Sequence, residues 1–293
     1  LKISIVIPVY KDLDSLKTIL PYLFASIGNQ EAEVIVVDNG GEVNSHVKDI
    51  PFNDKITFLV EDKYLNSPYS CRNRGIEAAK GEIVVFLDST CKPIKSWLKE
   101  ILHPFHSKDV FLVGGEVRFD VYKNSTSYEV ADAIRYVQTN SIIQKGYATT
   151  ANLAVRKDLI DKIGLFPEGI RTGGDMQWTK RATNAGYKLI YAKKAIVFKK
   201  PRKKEEIINK AKRVGSGLPG IWMELRRSVF IQSAKLIFSV FVPPNPFLVL
   251  SSMKRKGVYR DHRNKFIKIY FVYWKVTVFK LMGLVKGLKN SYL

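Results

Sequence analysis

The chain has 293 residues, 46% of them apolar, which suits a folded domain with a substantial core and excludes a disordered chain. Its formal charge of +21 is concentrated at one end: residues 199–293 carry 22 Lys/Arg against 4 Asp/Glu, whereas the first 198 residues are close to balance. The two cysteines, Cys71 and Cys91, stand in no metal-type or redox-type spacing, so a disulfide framework is excluded and a reducing compartment is the simpler expectation.

The N-terminus, Leu1-Lys2-Ile3-Ser4, runs straight into a strand-like pattern, so no secretory signal is expected. Residues 2–8 form an apolar, β-branched run. A helical pattern over 15–25 and a second such run over 34–37 complete one βαβ unit. A third run, 56–60, precedes Ser67-Pro68, which read as N-cap and first position of a helix that Gly81 ends. A fourth strand, 82–87, follows directly. Nearly continuous apolar strands alternating with helices predict an α/β fold, a mostly parallel, Rossmann-like central sheet with helices on both faces.

Beyond this half the pattern becomes mixed. A strand is expected over 110–119, a helix over 127–144, a strand over 152–155, short helices, and a strand over 187–198. The charge run Lys199-Lys200-Pro201-Arg202-Lys203-Lys204 marks a boundary. The expected division is 1–200 for the catalytic domain, with a nucleotide-binding half at about 1–119 and an acceptor half at about 120–200, then a basic, aromatic-rich helical segment, 201–293. The glycine run Gly215-Ser216-Gly217-Leu218-Pro219-Gly220 follows a basic helical stretch rather than a strand, so it reads as a linker or a lid, not as a dinucleotide fingerprint. His103 and His106 have ligand-like spacing, but Pro104 and polar neighbours place them in an exposed loop without a role.

In an open parallel sheet, ligands bind outside the carboxyl ends of the strands. Strand one ends at Pro8-Val9-Tyr10, strand two at Asp38-Asn39-Gly40-Gly41 and strand four at Asp88-Ser89-Thr90. Two carboxylates and a proline turn gathered there suit a base, a ribose and a diphosphate. Any one of these sites alone would be an ordinary turn.

The ordered motifs resemble glycosyltransferase family 2. They are Ser4-Ile5-Val6-Ile7-Pro8-Val9-Tyr10, Val34-Ile35-Val36-Val37-Asp38-Asn39-Gly40, Arg72-Asn73-Arg74-Gly75 through Gly81, and Phe86-Leu87-Asp88-Ser89-Thr90-Cys91. Gly114-Gly115, Ala151-Asn152-Leu153-Ala154-Val155-Arg156 and Gly173-Gly174-Asp175-Met176-Gln177-Trp178 follow. The resemblance implies a GT-A fold and an inverting transfer of a sugar from a nucleotide diphosphate sugar to a glycan or lipid-linked acceptor. It assigns Asp38 to the nucleobase, beside the turn of Pro8, Val9 and Tyr10. Arg72 falls along the nucleotide, and Asp88 with Ser89 at the ribose and the metal shell. Asn152, Gly174 and Trp178 fall near the acceptor or sugar, Trp178 either stacking on a sugar face or filling core.

Two departures from the family pattern matter. Thr90 replaces the second acid of the Asp-x-Asp element, and a hydroxyl is a poor ligand for Mg²⁺ or Mn²⁺. Either Asp88 alone holds a weaker metal, or arginines and lysines neutralise the leaving diphosphate; a metal-independent or catalytically weakened relative is the alternative reading. Gly174 replaces the Glu that precedes the family's catalytic acid, leaving Asp175 as the single base that an inverting transfer requires. Helix N-capping is a compatible role for Asp175.

A basic tail also fits a nucleic-acid-binding protein. The aromatics oppose that reading, because they lie in long apolar stretches rather than spaced as stacking platforms. Residues 236–250 are too short to span a bilayer and are broken by Pro243, Pro244 and Pro246, and 266–285 contain Lys268, Lys275 and Lys280. The segment around 266–285 is therefore expected to lie in an interface, lysines toward anionic lipid, as a peripheral attachment to the cytoplasmic face, or to pack on the catalytic domain.

Overall fold

The computed structural model describes residues 1–135, 143 and 145–291. The chain divides into two compact units. The first joins Leu1–Arg118 with Gln138–Lys199, and the second joins Phe119–Val137 with Lys200–Leu293. The segment at 119–137, expected in the acceptor half, is thus grouped with the C-terminal segment.

The first unit is built on an eight-stranded mixed sheet in the order β3-β2-β1-β4-β7-β6-β8-β5. Strands β1 (Ile3–Val9), β2 (Ala32–Asp38), β3 (Ile56–Val60) and β4 (Ile83–Leu87) are mutually parallel, as the unbroken apolar runs predict. Strand β7 (Asn152–Arg156) then pairs antiparallel to both β4 and β6 (Val110–Phe119), and β5 (Cys91–Pro93) antiparallel to β8 (Lys188–Lys199). The parallel half is the nucleotide-binding pattern, and the antiparallel strands extend it past β4.

Alternate residues of β1 serve opposite faces. Ile5 and Ile7 join one core cluster with Leu16, Leu20 and Leu23 of α1 (Leu13–Ile27), while Val6 joins another with Ile76 of α3 (Pro68–Ala78) and Trp178. Between them lies α2 (Glu42–Ser45). Helix α3 starts as predicted: Ser67 Oγ accepts from Ser70 N at 3.3 Å, and Pro68 occupies the first turn. Gly75 lets α3 lie flat on the sheet, because a methyl there would overlap the Val6 side chain. The sequence pattern did not reveal β5 or α4 (Trp97–Leu102).

In the second unit, α5 (Ser127–Arg135) packs Val130, Ala131 and Ile134 against Val249, Met253, Ile269 and Val272. The later part of the helix expected over 127–144 lies outside the described residues. Asp132 is fully buried there, accepting from Arg202 N at 2.9 Å and pairing with the Arg202 guanidinium at 3.3 Å. In the first unit, α6 (Lys157–Ile163) and α7 (Gly174–Asn184) follow β7. The second unit continues with α8 (Lys204–Glu224), α9 (Val229–Phe241), α10 (Pro246–Arg255), α11 (Tyr259–His262) and α12 (Phe266–Ser291).

The glycine run at 215–220 is neither linker nor lid: it lies inside α8 and makes a helix crossing. Added methyls at Gly215, Gly283 or Gly287 would overlap carbonyls of the facing helix, Lys280, Lys212 and Ser216 respectively. Small residues at such a crossing bring the two backbones into direct contact. Helix α12 accordingly directs Ile269, Val272, Val276 and Leu284 inward, and burial lowers the pKa of Lys280. Among the described residues no single helix is long and apolar enough to cross a membrane.

Candidate active site

The parallel strands place Val9, Asp38 and Val60 in one row at their carboxyl ends. Asp38 is buried, and its carboxylate is held by backbone donors: Gly40 N at 2.9 Å and Gly41 N at 3.1 Å on Oδ1, and Val43 N at 2.8 Å on Oδ2. These bonds shape the turn after β2, so most of the carboxylate expected to meet a nucleobase is spent on the loop. Asn39 continues this scaffold, donating to Glu61 O at 2.6 Å and Tyr64 O at 3.1 Å and accepting from Ser67 N at 3.0 Å. Beside them Val9 is buried, Pro8 is half-buried and Tyr10 is exposed.

Helix α3 carries Tyr69 and Arg72 into the same region. Arg72 Nη2 lies 2.8 Å from Asp88 Oδ1, Nη1 donates to Pro68 O at 3.0 Å, and the guanidinium lies over the Tyr69 ring, 5.6 Å from its centroid. Arg72 is buried, and among the described residues its Nε has no hydrogen-bond partner. Lys199, at the end of β8, reaches the other oxygen of the same carboxylate, Asp88 Oδ2, at 3.0 Å. Asp88 is therefore clasped by two cations. Ser89 is buried beside it and Thr90 half-buried.

Asp175, in the first turn of α7, accepts at Oδ1 from Tyr69 Oη at 3.1 Å and from Met176 N at 2.9 Å. Burial raises the Asp175 pKa above the ordinary carboxylate range, against the opposing pull of Arg72. Burial and the Asp175 charge together push the Tyr69 phenol well up, so the phenol keeps its proton and is the donor. Gly174 has room for nothing larger, because a methyl there would come within 3.0 Å of the Tyr69 ring. The loop leading to Asp175 is strapped to α3. Ser67 Oγ donates to Ile170 O at 2.9 Å, Gly169 N to Ser70 Oγ at 3.1 Å, and Asn73 exchanges two bonds with Phe166.

Two residues expected near the acceptor or sugar lie in the interior. Asn152 is fully buried, accepting from Trp97 Nε1 at 2.8 Å and donating to Glu116 O and Ala195 O, so it ties strands together. Trp178 is also fully buried, donates to Gly164 O at 2.7 Å and packs on Phe166; it fills core. His103 and His106 lie exposed in a 3₁₀ turn. A hollow lined by Ile76, Lys157 and Asp161 lies at the opposite end of β4, where Lys157 N donates to Glu82 O, and takes no part in the site.

Tyr69 and Lys199 escaped the sequence reading. The position of Tyr69, next after the Ser67-Pro68 cap, was the available signal. Lys199 opens the charge run that marks the domain boundary, and nothing local to that run sets it apart.

The donor set does not fit a resident divalent cation. A hard dication takes several oxygen ligands, whereas Asp88 has both oxygens engaged by cations and Thr90 supplies only a hydroxyl. Among the described residues no group of three or more His, Cys, Asp or Glu is placed to hold a metal.

A sheet that turns from parallel to antiparallel after its fourth strand, with carboxylates at the strand ends and the half-buried Asp175 near Tyr69 and Arg72, has the GT-A glycosyltransferase fold. Residues 4–164 match the model of Glycosyl transferase family 2, and the chain belongs to that family. It is 34% identical over 280 residues to glycosyltransferase AglE of Haloferax volcanii, covering 93% of this chain and 91% of that one. Pre-mycofactocin glycosyltransferase of Mycobacterium tuberculosis is 26% identical over 206 residues, 67% of this chain and 42% of the relative. Among solved structures, the mannosyltransferase PcManGT from Pyrobaculum calidifontis, in complex with GDP-Man and Mn²⁺, superposes with a TM-score of 0.60. It shares 16% identity and covers 98% of this chain and 87% of its own. S. aureus TarS superposes with a TM-score of 0.51 at 17% identity, covering 74% of this chain and 39% of TarS.

Proposed function

We propose that the chain is an inverting hexosyltransferase that moves a sugar from a nucleoside diphosphate to a hydroxyl of a glycan or lipid-linked acceptor, in cell-surface polysaccharide or glycoconjugate synthesis. The observation that carries this reading is the half-buried Asp175 carboxylate. Both of its described hydrogen bonds fall on Oδ1, which leaves Oδ2 to take a proton. As the acceptor oxygen attacks the anomeric carbon, its proton passes to Asp175, the new C–O bond forms, and the bond to the diphosphate breaks with its electron pair leaving on phosphate. One displacement at carbon inverts its configuration.

On the donor side, Pro8, Val9, Tyr10 and the Asp38 turn form the base subsite, with Asp38 acting through the loop that it holds. Arg72 and Lys199 supply the positive charge for the leaving diphosphate, Arg72 with a fork suited to phosphate oxygens. This metal-independent reading is favoured by the two cations on Asp88. Because a related fold has been solved with GDP-Man and Mn²⁺, GDP-mannose is the first donor to try. A panel of nucleotide sugars, each with and without Mn²⁺, tests donor choice by hydrolysis, and NMR of the released sugar's anomeric proton tests inversion. Retention of configuration would overturn the single-base mechanism.

We read the basic second unit as a peripheral attachment to the cytoplasmic face of an anionic membrane, where it presents the site to a lipid-linked acceptor, rather than as a nucleic-acid-binding part. Its charge of +17 over residues 200–293 and its exposed aromatics support that reading.

A further inference from the structure

Resting on the membrane reading above, we propose that α9, the turn at 243–246 and α10 form a wedge that enters one leaflet of an anionic bilayer. The attachment thereby moves away from α12. One side of that helix is occupied: its glycines meet α8, and Ile269 and Val272 meet α5 and α10, while Ile267, Phe271, Met282 and Val285 on its other side are 50% to 68% exposed.

Helix α9 is not enclosed in this way. None of its residues is buried, and Phe230, Phe238, Phe241, Phe247 and Leu248 across the two helices are 66% to 83% exposed. Five large apolar side chains in water on one hairpin form a patch that soluble monomers rarely carry.

The charge pattern selects lipid as the occupant. From 228 to 253 the sole charged residue is Lys235, yet Arg226 and Arg227 stand immediately before this stretch and Lys254, Arg255 and Lys256 immediately after it. No acid occurs between Glu224 and Asp261. An apolar centre with cations at both ends matches a hydrocarbon layer beneath phosphate headgroups. A protein partner would carry its own compensating acids, and a second copy of this chain would bring more lysines and arginines to the same place.

The backbone of the turn is also prepared for a medium without water. Pro243, Pro244 and Pro246 have no N–H to leave unpaired. Asn245 Oδ1 accepts from Phe247 N at 2.9 Å, Val242 N donates to Phe238 O at 3.0 Å, and Tyr270 Oη donates to Pro244 O at 2.8 Å, fastening the turn to α12. Ser239 turns its hydroxyl back onto Leu236 O at 2.7 Å.

Length fixes the depth. At about 1.5 Å per residue α9 is about 20 Å long, short of the ~30 Å hydrocarbon core. The two helices meet at 91°, so with the turn pointing inward the hairpin reaches about 14 Å, one leaflet.

The test uses the full chain floated with vesicles of phosphatidylcholine, with and without phosphatidylglycerol. The protein is expected to float with the anionic vesicles. The double variant Phe241→Glu/Leu248→Glu, on exposed positions, is expected to lose roughly tenfold or more of that partitioning. Lys268→Gln/Lys275→Gln/Lys286→Gln on α12 is expected to keep most of it. In a separate variant, Phe241→Trp, fluorescence is expected to shift to the blue and to be quenched by brominated acyl chains, a readout that does not depend on losing binding. Failure of the unaltered chain to float would overturn both the attachment and the wedge. Flotation equal in the Glu variant, with the fluorescence of Phe241→Trp unquenched, would overturn the wedge alone. Conversion of a dimer to a monomer by the Glu variant without loss of flotation would show a self-association surface instead.

Discussion

Lys199 Nζ stands 3.0 Å from Asp88 Oδ2, while Arg72 holds the other oxygen of the same carboxylate at 2.8 Å. A carboxylate that family members turn toward a metal here positions two cations instead. The expected consequence is that Lys199→Ala weakens donor binding and turnover by about 10- to 100-fold, the worth of one charge-assisted hydrogen bond, and that Lys199→Arg retains more. Chelator should change the activity of the unaltered enzyme only modestly. Thr90→Asp combined with Lys199→Ala should create a dependence on Mn²⁺. Complete loss of activity of the unaltered enzyme in chelator would overturn this account.

Asp175→Asn is expected to lower turnover by about 10² to 10⁴ while leaving nucleotide affinity nearly unchanged, because it removes the proton acceptor and spares the donor subsite. The raised pKa adds a signature in pH. A base must be ionised to act, so the acid limb of the rate profile should lie above that of an ordinary carboxylate, and Tyr69→Phe, which removes a bond to the anion, should move it higher still. Stability has the opposite sense. A carboxyl whose folded pKa is raised favours the folded state below its unfolded pKa and loses that advantage as pH rises through the folded value, so Asp175→Asn should not lower the melting temperature at neutral pH. Calorimetry and a pH–rate profile of the two variants check both statements.

Much of the first unit was legible because β1, β2 and β4 are buried on both faces and read as continuous apolar runs. The predicted 56–60 and 110–119 are the observed β3 and β6, and Ser67-Pro68 opened α3 as a cap should. Capping and periodicity are local. The surroundings of Asn152 were not legible because a motif gives a residue's place in the chain and not the direction of its side chain, which β6, β8 and α4 decide from far away in sequence. The Gly215 to Gly220 run misled for a related reason: glycine signals a turn locally, yet here its missing side chain serves a helix facing it from some 65 residues on, a distance no local rule spans.

Asp38→Ala should act on fold and donor together. The substitution removes the acceptor of three backbone N–H groups, on Gly40, Gly41 and Val43, of which that of Val43 is buried. Unsatisfied donors there should cost about 2 kcal/mol or more of stability. The loop beside the base subsite then loses its form, so affinity for nucleoside diphosphates should fall in calorimetry. Unchanged stability with lost affinity would instead show a carboxylate that touches the base directly.

The crossing of α8 and α12 gives two glycine substitutions of opposite sign on the same pair of helices. Gly283→Val drives a branched side chain into the Lys212 carbonyl, which belongs to a helix backbone and cannot rotate away. The helices must separate, losing the burial of Val276 and Leu284, and the expected cost is about 3 kcal/mol. Gly220, in the same α8, has no heavy atom within 4 Å of an added methyl. There alanine meets open space and removes the conformational freedom that glycine gives the unfolded chain, so Gly220→Ala should stabilise by about 0.5 to 1 kcal/mol. Thermal unfolding of both variants measures the difference. Equal, small effects at the two sites would mean that the helices do not cross on their glycines.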